Sequence, residues 1–154
     1  MSRPRWKSLL AVASFVVLGL VIVAQVVPYG REHDNPPIVA EPSWNSSSTR
    51  ALAERACFDC HSNQTRWPWY SHVAPMSWLV QDHVDEGRRE LNFSDWNRGS
   101  SEADEAAETV RDREMPPQSY LLLHPEARLT DAEREQLARG LEASLISARQ
   151  SRAD

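Results

Sequence analysis

The sequence predicts an all-α fold: one small helical domain set behind a single N-terminal transmembrane helix. Three observations carry this. An apolar run from Leu9 to Val27, broken only by Ser14, Gly19 and Gln25, is long enough to cross a bilayer. Four later stretches place apolar residues at three- and four-residue spacing and open on capping or first-turn signals. No stretch alternates apolar and polar residues in the manner of a half-buried strand.

The apolar run follows Arg3, Arg5 and Lys7. Nineteen residues as helix reach about 28 Å, close to the hydrocarbon thickness of a membrane. The positive flank keeps the N-terminus in the cytoplasm and sends everything after Pro28 across, so the expectation is a single-pass protein of the inner (cytoplasmic) membrane with its domain in the periplasm. A cleaved signal peptide is the rival reading. Its apolar region is usually shorter, and Ala24 is preceded two positions earlier by Ile22 rather than a small residue. Residues 1–30 are therefore read as an uncleaved anchor. Pro28, Pro36, Pro37 and Pro42 alternate with polar residues ahead of Ser46-Ser47-Ser48. With little apolar surface to bury, residues 31–48 are expected to form a tether. Residues 49–150 then make one domain, of a size at which a bound cofactor usefully enlarges a modest core.

Four helices are expected in it. The first covers 49–60, with Thr49 as cap and Leu52, Ala53 and Ala56 on one face. The second starts at Pro75, a good first-turn residue, and places Trp78, Leu79, Val84 and Leu91 at helical spacing. The third begins near Ser101, with Glu102, Asp104 and Glu105 crowding the first turn where the helix dipole favours them. Ala103, Ala106, Ala107 and Val110 give it a small-residue face, and Pro116 ends it. The fourth opens on a capping box, Thr130 to Glu133, and carries Leu137, Leu141 and Leu145 on one stripe, with Gly140 permitting close helix contact. Between the first two helices lies an aromatic loop, Trp67-Pro68-Trp69-Tyr70, whose rings are expected to pack in the core.

Residues 31–154 hold fourteen arginines and no lysine against twenty-two acids, a formal charge of −8. Such a surface suits neither nucleic acid nor anionic lipid. A solvated, soluble surface is the simplest account, and steering toward a basic partner is the more specific one.

The chemistry concentrates at Cys57-Phe58-Asp59-Cys60-His61, which holds the chain's two cysteines. Cys-x-x-Cys-His is the attachment signature of c-type haem, with two thioethers to the porphyrin and the histidine on iron. Residues three apart share a helix face, so both thiols can reach one edge of the ring. A redox dithiol usually sits in a βαβ context, which is missing here. A zinc site would want a second Cys/His pair at short spacing. The two cysteines could also oxidise to each other. An export signal supports the haem reading, because thioether attachment takes place outside the cytoplasm. The expected cofactor is one covalent haem c, held by Cys57, Cys60 and His61.

A sixth ligand to the iron could come from Met76, Met115, His72, His83 or His124, with His33 in the tether. Met115 is best placed: it follows a helix, and Pro116-Pro117 stiffen the chain behind a weak thioether ligand. Core filler is the bland account of any lone methionine, and a surface or capping role that of each histidine.

The stretch ACFDCHSNQTRWPWYSHVAPMSWLVQDHVDEGRRELNFSDW, then EMPP and LLHPEARLTDAEREQLARGLEA, resembles the bacterial haem-binding domain family marked by a single Cys-x-x-Cys-His. The layout is more distantly similar to class I cytochromes c. The resemblance implies covalent haem at Cys57 and Cys60, His61 as proximal ligand and Met115 as distal ligand. The reading is an electron-transfer cytochrome rather than an enzyme, with an unidentified redox protein as partner. A haem-based redox or gas sensor, an assembly factor and a haem peroxidase are the alternatives.

Overall fold

The computed structural model describes residues 5–96 and 103–150. Its helices are α1 (Arg5–Ala24), α2 (Ser47–Ala56), α3 (Phe58–His61), α4 (Met76–Glu90), α5 (Ala103–Arg111), α6 (Gln118–Leu121) and α7 (Asp131–Gln150), with 3₁₀ turns at Trp69–His72 and Pro125–Ala127. No strand occurs among the described residues; one isolated bridge pairs Ala40 with Asp95. The all-α expectation holds. Two compact units make up the chain, one of Met1–His33 with Trp67–Asp82, the other of Asp34–Arg66 with His83–Asp154.

In the first unit, α1 is apolar enough over Trp6–Ala24 to cross a membrane, and none of that stretch is buried against protein. Gln25, just past its end, closes a two-bond clasp on the Ala74 backbone. Its amide donates to the Ala74 carbonyl at 2.9 Å, and its own carbonyl accepts from the Ala74 N–H at 3.1 Å. Gly30 has φ +76°, and a Cβ there would overlap the Ser77 carbonyl, so this position requires glycine on both counts. His33 donates from Nε2 to Ser71 O at 3.0 Å and stacks on Trp67. The aromatic loop departs from expectation: Trp69 is exposed, touching Tyr70 edge-on rather than filling a core. Leu79, expected on the buried face of its helix, is exposed as well.

The second unit holds the core. Leu52, Ala53 and Ala56 of α2, Ala107 and Val110 of α5, and Leu137 and Leu141 of α7 close around Phe58, Phe93 and Trp96. The expected apolar faces of these helices are thus the buried ones. The side chains of Ala103 and Leu145 lie outside the described residues, as do Ser101 and Glu102 at the expected start of the third helix. Gly140 of α7 meets α2, where a Cβ would come within 2.6 Å of Thr49 Oγ1. Arg111 ties α5 to α7 through Glu142 and Glu135.

Thr49 is not the cap of α2. Ser46 takes that role, its Oγ accepting from Thr49 N at 3.1 Å, and Thr49 is buried under Gly140. The helix also stops short of the motif. Cys57, at φ −127° and ψ −35°, breaks it, and α3 starts afresh. The segment read as a tether carries bonds of its own. Asn35 pairs with Thr65, Pro37 O accepts from Asn63, Glu41 receives Arg50 through two nitrogens, and Trp44 packs beside Phe93 at 5.4 Å.

The capping box forms as expected. Thr130 N donates to Glu133 Oε2 at 2.8 Å and Glu133 N to Thr130 Oγ1 at 3.2 Å. The Thr130 backbone N–H first, then the Arg55 guanidinium, pull the Glu133 carboxyl from 4.5 down to about 2. A depressed folded-state pKa contributes stability that is complete above about pH 4.5 and lost as pH falls toward about 2. Glu133→Gln should therefore flatten the acid limb of a melting-temperature–pH curve between these values, and an unchanged limb would remove this group from acid stability.

Candidate functional site

One cavity of about 520 Å³ lies in the second unit, within the range of small-molecule and cofactor sites (roughly 300–1,000 Å³). Cys57, Cys60, His61, Met115, His83 and Tyr120 all contribute to its wall. Apolar groups from α2, α5 and α7 (Ala56, Val110, Leu141) line it further, and Glu86, Glu90 and Glu105 bring carboxylates to it. All four residues expected to hold the cofactor therefore face one space.

Local structure explains how. Past the break at Cys57, the Cys60 and His61 N–H groups both bond Cys57 O, at 3.1 and 2.9 Å, giving the single helical turn the motif needs. Phe58 does not line the cavity but packs in the core, against Phe93 and under the Arg50 guanidinium. That leaves both cysteines on the cavity side. His61 O accepts from Phe93 N at 2.8 Å, and the next N–H but one, of Asn63, donates to Ser94 Oγ at 3.0 Å. The Asn92–Trp96 segment thus closes the motif from behind. Arg88 of α4 braces the same stretch, donating to Ser62 O, Asp34 O, Asn35 and Thr65.

The His61 ring is oriented by α4. Nδ1 lies 2.9 Å from Gly87 O and 3.1 Å from Leu91 O. Carbonyls only accept, so Nδ1 carries the proton and Nε2 keeps a free lone pair. This arrangement, a ring N–H held by backbone carbonyl, is the usual support for a histidine that binds metal through its other nitrogen. Gly87 makes it accessible: a Cβ there would sit 2.6 Å from Cys60 O. Burial lowers the His61 pKa, the two carbonyl bonds opposing it, which keeps the ring neutral and able to ligate.

Burial pushes the Cys57 thiol up to about 12, with Cys60 adding, and burial followed by Asp59 pushes Cys60 up to about 11. Redox dithiols depend on a lowered thiol pKa, so this pair does not suit that chemistry. Among the described residues no group of three or more His, Cys, Asp or Glu side chains is placed to hold a metal ion by itself, as a zinc site would require.

Met115 reaches the wall through a helix-ending turn. Arg113 takes φ +64°, Arg113 N bonds Val110 O, and Glu114 N bonds Thr109 O, which together form a Schellman motif. Met115 N then bonds Thr109 O at 3.2 Å, and Met115 O accepts from Arg134 of α7 at 3.2 Å. The methionine backbone is therefore held from two helices. Of the other candidate ligands, His83 shares the cavity wall, four residues before Gly87 on α4. Met76, His72 and His33 belong to the other unit, and His124 stacks on Tyr120 at 4.1 Å.

Two participants were not anticipated. Asp59 accepts from Tyr120 Oη at 2.7 Å and from the Arg66 backbone and guanidinium. Tyr120, whose pKa is raised by burial and then by that bond, ties the Met-Pro loop to the motif. Only the loop geometry brings these two together, 61 positions apart.

Two free thiols three residues apart, a metal-ready imidazole and a thioether sulfur around a mainly apolar space fit a covalently attached haem. The haem-binding domain family model matches residues 19–143, and the chain belongs to that family. No curated protein and no solved structure matches it.

Proposed function

We propose that this haem-binding protein is a membrane-anchored monohaem c-type cytochrome that carries single electrons, with iron bound between His61 Nε2 and Met115 Sδ. The observation supporting it most directly is the fixed His61 tautomer in a wall shared with Cys57, Cys60 and Met115. Haem would supply the one-electron ferric/ferrous couple. The chain's residues do the rest. Cys57 and Cys60 tether the ring edge, α4 holds the imidazole, and Arg134 with Thr109 hold the methionine loop. The apolar wall limits water near the iron. The α1 helix confines the domain to the extracytoplasmic membrane face, where a redox protein partner would meet it.

Met115→Ala tests the ligation. The oxidised protein should lose its weak red-region sulfur-to-iron band, and the reduction potential should fall, because thioether ligation raises it. An unchanged spectrum and potential would remove Met115 from the iron. A second reading follows from His83, which shares the cavity wall with Met115. A weak thioether ligand that gives way to carbon monoxide would make the protein a haem-based sensor. Fast carbon monoxide binding to the reduced wild type supports that reading, and inert six-coordinate iron supports the carrier.

A further inference from the structure

The first unit carries an apolar surface unrelated to the cavity. Residues 67–81 contain no Asp, Glu, Lys or Arg, in a chain that is 25% charged. Within that stretch Trp69 is 79% exposed, Val73 45%, Met76 38% and Leu79 46%. An exposed group of large apolar side chains on a small unit normally marks an interaction surface.

The place of this surface is defined by α1. The Gln25 clasp holds the Ala74 backbone directly at the end of the apolar helix. Gly30 brings the chain leaving that helix against the Ser77 backbone, and His33 bonds Ser71. All of these contacts lie inside one compact unit. If α1 spans a bilayer, Gln25 stands at the boundary of the hydrocarbon. The interfacial layer beyond it is about 5–8 Å thick on each side. Met76 and Leu79 lie two and five residues beyond Ala74, and five residues of helix advance about 8 Å, so this end of the patch stays within reach of that layer. Tryptophan is the side chain most at home there, its ring apolar and its indole N–H polar.

We propose that the 69–79 segment is a second membrane contact, with Trp69, Val73, Met76 and Leu79 seated in the interfacial layer of the bilayer that α1 crosses. The occupant is phospholipid at the headgroup–acyl boundary. Residues 67–81 hold no lysine or arginine, so the surface recognises apolar depth rather than anionic headgroups. The first unit then acts as a foot planted on the membrane, fixed to α1 by hydrogen bonds. This rests on the reading of α1 as a membrane anchor.

The test uses the full, haem-loaded chain, one copy per phosphatidylcholine nanodisc, under hydroxyl-radical footprinting. Each residue is normalised to its rate in the unfolded chain. Trp69 and Leu122 are 79% and 77% exposed on the protein alone, so lipid cover is what would separate them. Labelling of Trp69 should drop to the level of Phe15 within α1, while Leu122 stays labelled. Phe15 protected with Trp69 labelled like Leu122 overturns this inference and leaves the anchor standing. Phe15 labelled as well overturns the anchor itself. Trp69→p-benzoylphenylalanine supplies a second readout. A photo-adduct of phospholipid mass supports the contact, whereas cross-linking to protein, or no adduct, refutes it.

Discussion

Chain in which Cys57 and Cys60 are both alanine should leave the export pathway with no covalent haem. Intact-mass analysis should show the bare polypeptide, and haem staining after denaturing electrophoresis should be negative. Each single variant keeps one sulfur at the ring edge and should retain a reduced amount. The expectation follows from geometry. Both thiols border the same cavity on one helical turn, beside an imidazole whose free nitrogen is Nε2. The substitutions themselves are small, because neither side chain belongs to the fully buried core. Loss of haem can therefore be separated from loss of fold by circular dichroism. Haem that survives denaturation in the double variant would sink the covalent assignment.

Phe58→Ala should destabilise the protein by about 3–5 kcal/mol, the range for deleting a buried phenylalanine. A domain of about 100 residues has about 5–15 kcal/mol in total, so this one truncation removes a large share. Phe58 is 2% exposed and sits 5.5 Å from Phe93, with the Arg50 guanidinium over its ring. The same residue, with Asp59, lies between the two cysteines, so the core and the candidate site are covalently adjacent. Phe58→Leu should cost much less, since most of the volume is kept. The check is the denaturant midpoint at constant m-value. A cost below about 1 kcal/mol for Phe58→Ala would mean that the motif is not seated in the core as described.

The pattern of what could be read in advance follows the range of the forces involved. The capping box at Thr130, the buried stripe of Leu137 and Leu141, and the alanine face of α5 are products of helical period and local hydrogen bonding, and they appear as expected. The reading of Thr49 as a cap failed because Gly140, far along the chain, opens a slot that buries it, leaving Ser46 to start the helix. The outward turn of Trp69 and Leu79 was hidden for a related reason: an apolar residue at the right spacing reports a face, not what covers it.

For the site, the cysteine–histidine motif is local: two thiols and an imidazole within five residues stand out in the sequence alone. Among the sulfur and nitrogen candidates for a sixth ligand, packing brings Met115 and His83 to the cavity of His61. The tautomer of His61 depends on the carbonyls of Gly87 in α4 and of Leu91 just past its end, and the tie from Tyr120 to Asp59 on a loop 61 positions away. Such contacts join groups whose separation along the chain carries no periodic signal, so the residue string encodes the candidate ligands, and close packing against α4 and α7 sets how they are held.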